Sequence, residues 1–349
     1  MRPTRCTASS RVAAQRRVSS RTEFAPTARA AAKTGDNGRM NSSVISPSAK
    51  PGAASVWIAL AIVYVVWGST YLAIRFGVEA APPYLFASAR FVIAAAAMLL
   101  YAWARGLRFP ATGRELKVIA ITGALLLGGA NGLVTWSEQW VASNQAALMV
   151  ATSALWMAWI GSVGPRGEPL SQATWAGLLL GFIGVAVLVG DGLLKHSGPV
   201  GAYVALIVSP LMWAGGSIYA RRNPVSCSPT VTAGLQMLVA SLLLGLIGLA
   251  LNEPAHWRWN NQAWAALAYL AVFGSIIGYG AYFYLVHNAA PALLGTYAYV
   301  NPAVAVLLGC WLAGEPFTHM QAAGTAVILV GVVVVTLAQR RGRVAAVTR

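Results

Sequence analysis

From residue 55 to residue 338 the chain alternates long apolar runs with short polar segments. A transmembrane helix needs about 20 consecutive, mostly apolar residues. Ten runs meet that length, and the segments between them carry the Pro and Gly residues that are typical of helix ends and turns. The pattern therefore predicts an all-α integral membrane protein with ten transmembrane helices. The predicted spans lie at about 55–75, 84–104, 115–135, 141–162, 172–190, 199–220, 229–251, 263–286, 291–312 and 319–338.

Composition supports this prediction because the chain has too few charges to cover the surface of a soluble protein. Hydrophobic residues make up 57% of the sequence and charged residues 10%, whereas a soluble domain is about 45–50% apolar and about 25% charged. We therefore exclude a soluble globular enzyme, a disordered chain and a disulfide-stapled domain. The three cysteines, Cys6, Cys227 and Cys310, have no metal-ligand spacing and predict neither a disulfide framework nor a metal site.

Residues 1–54 differ from the rest of the chain, since they are rich in Arg, Ser and Ala and lack hydrophobic periodicity. Such a segment cannot bury enough apolar surface to offset its ordering entropy, so we predict a disordered basic tail. Its Arg-rich, Ser-rich and acid-poor composition also fits an organellar transit peptide. A simpler interpretation is that translation starts at Met40 and that residues 1–39 are absent from the natural protein.

The net charge of +16 does not predict nucleic-acid binding, because the basic residues form no continuous face on a folded domain. With the N-terminus in the cytoplasm, the inside segments hold 21 Lys and Arg residues and the outside segments hold three, Arg75, Lys195 and Arg258. Cytoplasmic loops of membrane proteins carry such an excess. We therefore predict a multi-pass protein of the cell (plasma or inner) membrane with both termini cytoplasmic.

The second half of the chain repeats the first at a nearly fixed offset. Trp67 matches Trp213 at an offset of 146 residues, and the Gly-Glu-Pro of residues 167–169 matches that of residues 314–316 at an offset of 147. Each half holds five spans, and because five is odd the second half must enter the membrane from the opposite side. The predicted parts are two inverted five-helix repeats at 55–190 and 199–338, an outer linker at 191–198 and a basic cytoplasmic tail at 339–349.

This organisation predicts the type of activity. Inverted repeats place a substrate site near the midplane of the membrane, between the two halves. The sequence has no P-loop GxxxxGK[ST] and no other ATP-site motif. We therefore predict a secondary transporter without a cofactor rather than an ATP-driven pump.

Three pairs of glycines have the GxxxG spacing that lets helices approach closely. We expect them to pack helices inside the fold rather than at a dimer interface, and we expect the fifth and tenth spans to be structural. The pairs are Gly128/Gly132, Gly177/Gly181 and Gly274/Gly278.

Four short segments carry a resemblance to a known family: residues 66–71 (VWGSTY), 89–91 (ARF), 274–277 (GSII) and 297–302 (YAYVNP). Together they resemble the EamA family of the drug/metabolite transporter superfamily, over about residues 55–338. The resemblance implies a 5+5 inverted-repeat bundle that exports small metabolites, amino acids or drugs. The chain departs from the family at Ala154, where a proline is expected, whereas the counterpart Pro302 remains. The two halves are therefore expected to flex unequally.

Arg90 is the basic residue that lies well inside a predicted span, about 9 Å from its outer end at about 1.5 Å per residue. Its guanidinium offers two parallel donors and could attract an anionic substrate group or form a gating ion pair. Alternatively, it snorkels to the outer headgroups or belongs to a fixed structural pair.

Glu138 lies at the outer end of the third span, within residues 136–140 (WSEQW). Its carboxylate could pair with Arg90 or take up protons during transport. The alternative is an interfacial carboxylate beside the tryptophans that mark a membrane boundary. Since Glu115 lies at the other end of this span and no other carboxylate lies in the interior of a predicted span, we exclude a relay of several buried acids.

Two prolines predict breaks in helical hydrogen bonding inside the membrane. Pro210 leaves the carbonyl of Leu206 without its usual donor, and Pro302 does the same for Ala298. A hinge that coordinates substrate and a kink satisfied by neighbouring Ser or Thr both fit these positions.

The candidate site residues fall into four groups. The candidate substrate-binding residues are Trp67, Ser69, Thr70, Arg90, Asn131, Trp213, Tyr282, Tyr299 and Asn301, and further wall candidates are Trp156, Tyr279 and Tyr297. The candidates for gating or proton coupling are Glu138 and Arg90, and the candidate hinges are Pro210 and Pro302.

The sequence therefore predicts an exporter of small organic solutes that works by alternating access through a central cavity. An importer or exchanger on the same fold is the alternative, because the sequence does not fix direction. A membrane-embedded enzyme is disfavoured, since the sequence shows no paired acids, no His–carboxylate set and no clustered metal ligands. The expected partners are a small-molecule substrate and the lipid bilayer, and we expect a monomer or a weak homodimer.

Overall fold

The structure is a computed structural model that describes residues 53–164, 170–194, 198–258, 260–289, 293 and 296–347. All regular secondary structure within these residues is helical. The first half holds α1 (Ala53–Val78), α2 (Pro83–Ala104), α3 (Gly113–Gly123), a π-helical segment (Ala124–Asn131), α4 (Gly132–Ser137), α5 (Ser143–Val150), α6 (Ser153–Ser162) and α7 (Gln172–Leu194). The second half holds α8 (Val200–Arg222), α9 (Pro229–Ala250), a 3-10 turn (Glu253–His256), α10 (Asn261–Tyr269), a second π-helical segment (Leu270–Ile277), α11 (Gly278–Asn288), α12 (Tyr297–Leu312) and α13 (His319–Val347).

Eight helical stretches among the described residues are long and apolar enough to cross a membrane. They coincide with all the predicted spans except the fourth and the ninth. The fourth span is divided into α5 and α6, and the ninth is represented by α12, which has 16 residues and begins later than predicted. The structure therefore agrees with an all-helical, multi-pass membrane protein.

The predicted terminal segments lie only partly within the described residues. Residues 1–52 of the predicted basic tail lie outside them, whereas residues 53 and 54 begin α1 instead of ending the tail. Residues 191–194 of the predicted linker extend α7 instead, and residues 195–197 lie outside the described residues. The predicted cytoplasmic tail at 339–349 is helical as far as Val347, because α13 continues past the apolar run that predicted its end.

The starts of corresponding helices use the same local signals in both halves. Pro83 and Pro229, which are 146 residues apart, begin α2 and α9. Proline suits a first helical turn because that turn has no partner for its N–H and because the fixed φ is already helical. Thr112 and Asn260 cap α3 and α10, each with a side-chain oxygen that accepts a hydrogen bond from the N–H three residues on. The two π-helical segments also begin 146 residues apart, at Ala124 and Leu270.

The fourth predicted span is interrupted at residues 151 and 152. The Thr152 N–H and its Oγ1 both donate to the carbonyl of Met149, and the Leu155 N–H donates to the Thr152 carbonyl. These tight bonds over three residues replace bonds over four residues, and they end α5 before α6 begins. Hydrophobic periodicity did not predict this break, because Thr152 lies in an otherwise apolar run.

Close contact between α7 and α13 depends on glycine. A Cβ on Gly331 would lie 2.6 Å from the carbonyl oxygen of Gly177 and 2.6 Å from the amide nitrogen of Gly181. Similarly, a Cβ on Gly184 would lie 2.6 Å from the carbonyl oxygen of Gly324. The two backbones therefore touch along this seam, inside the fold, as the GxxxG spacing predicts.

The outward-facing side chains of the bundle are largely apolar. Trp103, Leu246, Leu307 and Trp311 are each more than 60% exposed. A soluble protein rarely exposes so large an apolar surface, whereas lipid tails accept it without cost. Polar atoms that could bind a solute must therefore lie inside the bundle.

Candidate functional site

A cavity of about 110 Å³ is lined by residues from both halves of the chain. Six of the predicted substrate-binding residues lie in its lining: Trp67, Thr70, Arg90, Asn131, Trp213 and Asn301. The other lining residues are Tyr71, Ile74, Ala130, Val134, Val150, Ser153, Ser209, Gly274, Tyr279 and Tyr297. The lining contains one guanidinium and no carboxylate, so its fixed side-chain charge is positive.

The Arg90 side chain lies between the two π-helical segments. Its Nε donates to Ser275 Oγ at 3.0 Å in the second segment, and its Nη1 is 3.5 Å from Oδ1 of Asn131, the last residue of the first segment. π-helical turns are frequent at functional sites, because the extra residue in the turn changes the direction of the side chains that follow. Arg90 is 5% exposed, so the snorkelling alternative does not describe this structure.

The carbonyls of both π-helical segments accept side-chain hydrogen bonds around the cavity. Ser209 Oγ donates to the carbonyl of Ala130 at 3.0 Å, and the Trp67 indole N–H donates to the carbonyl of Gly274 at 3.2 Å. Irregular helical backbone is tolerated within a membrane when protein groups satisfy it. These bonds hold the two segments against α1 and α8.

The ion pair between Arg90 and Glu138, one of the alternatives left open by the sequence, is not found among the described residues. Within the described part of the chain, the guanidinium of Arg75 instead donates from Nη1 to the backbone carbonyl of Glu138 at 2.6 Å and pairs through Nε with Glu79 Oε1 at 3.2 Å. Glu138 is fully buried, and neither of its carboxyl oxygens has a hydrogen-bond partner in the described part of the chain. The expectation rested on both residues lying toward one side of the membrane, but Arg75 occupies the space beside Glu138.

Aromatic rings form one wall of the cavity. The ring centroid of Trp67 lies 5.4 Å from that of Tyr279, 5.2 Å from that of Tyr282 and 5.6 Å from that of Tyr297. Such edge-to-face and tilted contacts are favourable for aromatic pairs. They fix the Trp67 indole in one orientation, with its N–H turned to the backbone of the second π-helical segment.

Asn301 supplies an unusual polar atom to the lining. The residue is 7% exposed, and its side-chain Oδ1 accepts no hydrogen bond from any described residue. It immediately precedes Pro302, which lies inside α12, as Pro210 lies inside α8. Buried side-chain carbonyl oxygens are normally hydrogen-bonded, so this oxygen lacks the donor that such an atom usually has.

Some predicted residues lie outside the lining. Ser69 Oγ donates to the Val66 carbonyl and shares a hydrogen bond of 2.6 Å with the Tyr269 hydroxyl. Tyr282 packs behind Trp67, and Trp156 packs against Phe182 with ring centroids 4.8 Å apart. The side chain of Tyr299 lies outside the described residues.

Four polar residues at the cavity were missed by the sequence analysis as candidates: Tyr71, Ser153 and Ser209 in the lining, and Ser275 bonded to Arg90. Each lies in an apolar run that reads as an ordinary span. Tyr71 and Ser275 lie in two of the segments that carry the family resemblance, 66–71 and 274–277, which was a signal that could have found them. For Ser153 and Ser209 the only sequence signal was a hydroxyl inside an apolar run, which is too common to single out a residue.

Two glutamates from the second half cap helix starts in the first half. Glu315, which follows α12, accepts hydrogen bonds from the Ser143 N–H at 2.7 Å, the Ser143 hydroxyl at 3.0 Å and the Asn144 N–H at 2.9 Å, at the start of α5. Glu253, which follows α9, accepts from the Leu85 N–H at 2.8 Å and the Tyr84 N–H at 3.2 Å, at the start of α2. Burial raises the pKa of the Glu253 carboxyl, although the two N–H donors act in the opposite direction. Both contacts join the halves at the end of the bundle where Arg75 and Glu138 lie.

Within the described ranges, no group of three or more His, Cys, Asp or Glu residues could hold a metal ion. The cavity instead offers one cation, several hydroxyl and amide groups and aromatic faces. This arrangement can bind and orient a small solute by charge, hydrogen bonds and ring contacts.

Comparison with known proteins identifies the family. Residues 55–190 and residues 200–337 each match the EamA-like transporter family. The chain belongs to this family. The family resemblance of the four sequence segments is thereby confirmed, and the two EamA-like stretches cover nearly all of the helical part of the chain.

Two relatives of this EamA-like chain are named as transporters. The uncharacterized inner membrane transporter YedA of Escherichia coli (strain K12) is 39% identical over 280 residues, which are 80% of this chain and 90% of YedA. A Streptantibioticus cattleyicolor protein named a probable terminal-alkyne amino-acid exporter is 27% identical over 295 residues, which are 82% of this chain and 96% of the relative. Family and relatives therefore group this chain with multi-pass membrane transporters and not with enzymes.

A solved crystal structure supports the fold of the EamA-like chain. It is 24% identical in sequence, has a TM-score of 0.55 and matches 82% of this chain and 99% of its own. At that identity the likeness shows that the two chains share a fold.

Proposed function

We propose that this protein is a secondary transporter that exports small organic solutes by alternating access through the central cavity. The observation that carries the proposal is the cavity itself, because residues of both halves line it and because it contains a buried guanidinium that has no carboxylate partner among the described residues. Polar and ionisable groups inside a membrane are costly and usually mark a substrate path. Export, rather than import, is supported by the family resemblance and by the relative that is named as an exporter.

The proposed architecture is two inverted five-helix repeats, at 55–190 and 199–338, joined by an outer linker at 191–198. Three observations support a duplication. The family matches the two halves separately, α2 and α9 begin 146 residues apart, and the two π-helical segments also begin 146 residues apart. The count of ten requires α5 and α6 to act as one broken span and α12 as a short one. Discontinuous spans are common at transporter sites.

We place the protein in the plasma or inner membrane of the cell, and the proposed orientation has both termini in the cytoplasm. The excess of Lys and Arg in the inside segments supports it. In this orientation Arg75, Glu138 and Glu315 lie at the outer end of the bundle. The bonds from Glu315 to α5 then act as a closed outer gate.

In the proposed site, the solute is oriented by the polar side chains of four lining residues: Arg90, Asn131, Thr70 and Asn301. Trp67 and Trp213 form apolar walls. A cavity of about 110 Å³ is small beside the roughly 300–1,000 Å³ of sites for drug-sized ligands. This size favours a small metabolite over a drug as the cargo.

An untargeted comparison of extracellular metabolites tests the proposed function. Cells that express the full chain should accumulate one or a few small solutes outside, relative to cells that carry the empty vector. The solute so found should then enter inside-out vesicles and not right-side-out vesicles. Preferential entry into right-side-out vesicles would support the importer alternative, and a chemically altered product in liposomes would support an enzyme.

We further propose that Glu138 is a proton-sensitive element of the outer gate. The charged and titratable groups within electrostatic reach of its carboxyl are Tyr71 and Arg75 on α1 and Glu315 after α12. Arg75 is already engaged with Glu79 and with a backbone carbonyl, so it gives the carboxyl oxygens no hydrogen bond. A buried ionised carboxylate without a donor is costly. Closing the outer end therefore requires Glu138 to take up a proton, and opening it to water releases that proton.

The Glu138→Gln variant is expected to lose the dependence of transport on outside pH. In the unmodified protein, acidification of the outside should favour the closed gate and slow export, whereas glutamine stays neutral at every pH. Export of the identified solute should be measured at outside pH 5–8 with the inside pH fixed. Glu115→Gln, at the opposite end of the third span and bonded to Ser226, is the matched control and should keep the pH profile. A Glu138→Gln variant with an unchanged pH profile would remove Glu138 from the gate.

A further inference from the structure

The positive charge of Arg90 in the cavity lining has no negatively charged partner among the described residues. Among the described residues, the hydrogen-bond acceptors for Arg90 are the neutral side chains of Ser275 and Asn131, and the Asn131 contact is long at 3.5 Å. No acidic side chain lies in the lining. A buried charge is normally paired or binds a ligand of opposite charge. The guanidinium therefore has donors without an acceptor among the described residues, in a lining whose fixed side-chain charge is positive.

The same lining also contains Asn301, whose side chain needs a hydrogen-bond donor, whereas Arg90 needs an acceptor. The Asn301 Oδ1 atom is an acceptor without a donor among the described residues. An acceptor in this position costs free energy until a donor approaches it. Because Asn301 and Arg90 come from opposite halves of the chain, a solute that satisfied both would hold the halves together across the cavity.

The remaining lining limits the size and shape of such a solute. Trp67, Trp213, Tyr279 and Tyr297 present ring surfaces, which suit a short apolar body. The small volume leaves room for little beyond that body and the two polar groups.

We propose that the transported solute is a small organic acid with one carboxylate, bound by Arg90, and at least one N–H or O–H group, bound by Asn301. This inference rests on the proposed function and specifies its cargo. Hydroxy acids and amino acids share this chemistry, so the test includes one of each. A cationic solute is disfavoured because it would meet the guanidinium in a site that contains no compensating carboxylate.

Equilibrium binding to the purified full-length protein in lipid nanodiscs tests the proposal without a transport step. The probes share one carbon skeleton: 2-hydroxy-3-methylbutanoate, valine, 3-methylbutanoate, which lacks the donor, and 2-hydroxy-3-methylbutanamide, which lacks the charge. Isothermal titration gives affinities, and the change in total tryptophan fluorescence, to which Trp67 and Trp213 of the lining contribute, gives a second readout.

The hydroxy acid or valine is expected to bind about 10- to 100-fold more tightly than the amide, because a hydrogen bond to a charged group contributes about 1.5–3 kcal/mol. The hydroxy acid should bind about 2- to 10-fold more tightly than 3-methylbutanoate, because the hydrogen bond of its neutral hydroxyl contributes less. Comparison of the hydroxy acid with valine then identifies which donor Asn301 prefers.

Variants separate the two contacts. Arg90→Gln should remove the preference for the acid over the amide, and Arg90→Lys should keep part of it because the charge remains. Asn301→Leu should remove the preference for the hydroxy acid over 3-methylbutanoate and leave the preference for acid over amide. Arg105→Gln, at the exposed end of the same helix α2, is the matched control and should change neither preference.

Equal binding of acid and amide, or no binding of either acid, would overturn the proposal. These results would leave the proposed function standing if cells still exported a neutral or cationic solute in the metabolite comparison. Conversely, acid-selective binding without any transport in vesicles would support the cavity assignment and count against the transporter.

Discussion

Replacement of Arg90 by alanine is expected to abolish transport while the protein remains expressed and inserted in the membrane. The guanidinium is the positive charge of the cavity lining, and its side-chain partners Ser275 and Asn131 are neutral. Alanine removes the attraction for the solute and leaves a void in its place. We expect initial rates to fall by about 100-fold, since a hydrogen bond to a charged group contributes up to about 3 kcal/mol.

Two comparisons distinguish this effect from misfolding. Arg105→Ala changes an arginine at the exposed end of the same helix and should leave the rates unchanged. The folded fraction of each variant should be measured by size-exclusion chromatography in detergent, because a buried arginine can also contribute to packing. Unchanged transport kinetics in a folded Arg90→Ala protein would show that Arg90 is not part of the site.

Six of the nine substrate-binding candidates chosen from the sequence lie in the cavity lining. They were accessible to sequence reasoning because a charge, an amide or a repeated tryptophan stands out in a run of apolar residues. Ser209, which bonds the Ala130 carbonyl, and Ser153 were not accessible. A hydroxyl can bond its own helix at no cost, as Ser241 does with the Leu238 carbonyl, so its presence says little about a cavity.

The sequence could not predict the hydrogen-bond partners of Arg90, because they depend on the two π-helical segments. Apolar periodicity distinguishes poorly between α-helical and π-helical turns over eight residues. The π-helical turns nevertheless decide which side chains face inward, and they bring Asn131 and Ser275 to the same guanidinium. Their equal positions in the two halves indicate that both copies of the duplicated unit retained the same irregularity.

The possible Arg90–Glu138 pair, which is not found among the described residues, illustrates a second limit. Position along a span gives depth in the membrane, but it does not give the direction in which a side chain points around the helix. Arg75 belongs to the end of α1, and its guanidinium reaches the Glu138 carbonyl across the bundle. Only the packing of α1 against α4 determines this contact.

The seam between α7 and α13 gives a test of the fold that does not depend on the cargo. These helices contribute no residue to the cavity lining, in agreement with the structural role expected of the fifth and tenth spans. Backbone atoms of Gly177 and Gly181 lie where a side chain on Gly331 would have to go. Backbone cannot move aside as the end of a flexible side chain can, so the helices would have to separate.

Gly331→Ala is therefore expected to destabilise the protein by about 2–3 kcal/mol, at the upper end of the cost of overpacking, and to lower the midpoint of thermal unfolding in detergent. Gly190→Ala on α7 is the matched control, because a Cβ there meets nothing within 4 Å. Alanine also favours a helix over glycine by up to about 1 kcal/mol, so the control should leave the midpoint unchanged or raise it. Intrinsic fluorescence during heating measures both variants. If Gly331→Ala unfolded at the same temperature as the unmodified protein, α7 and α13 would not touch through their backbones, and the close pairing of the fifth and tenth spans would have to be abandoned.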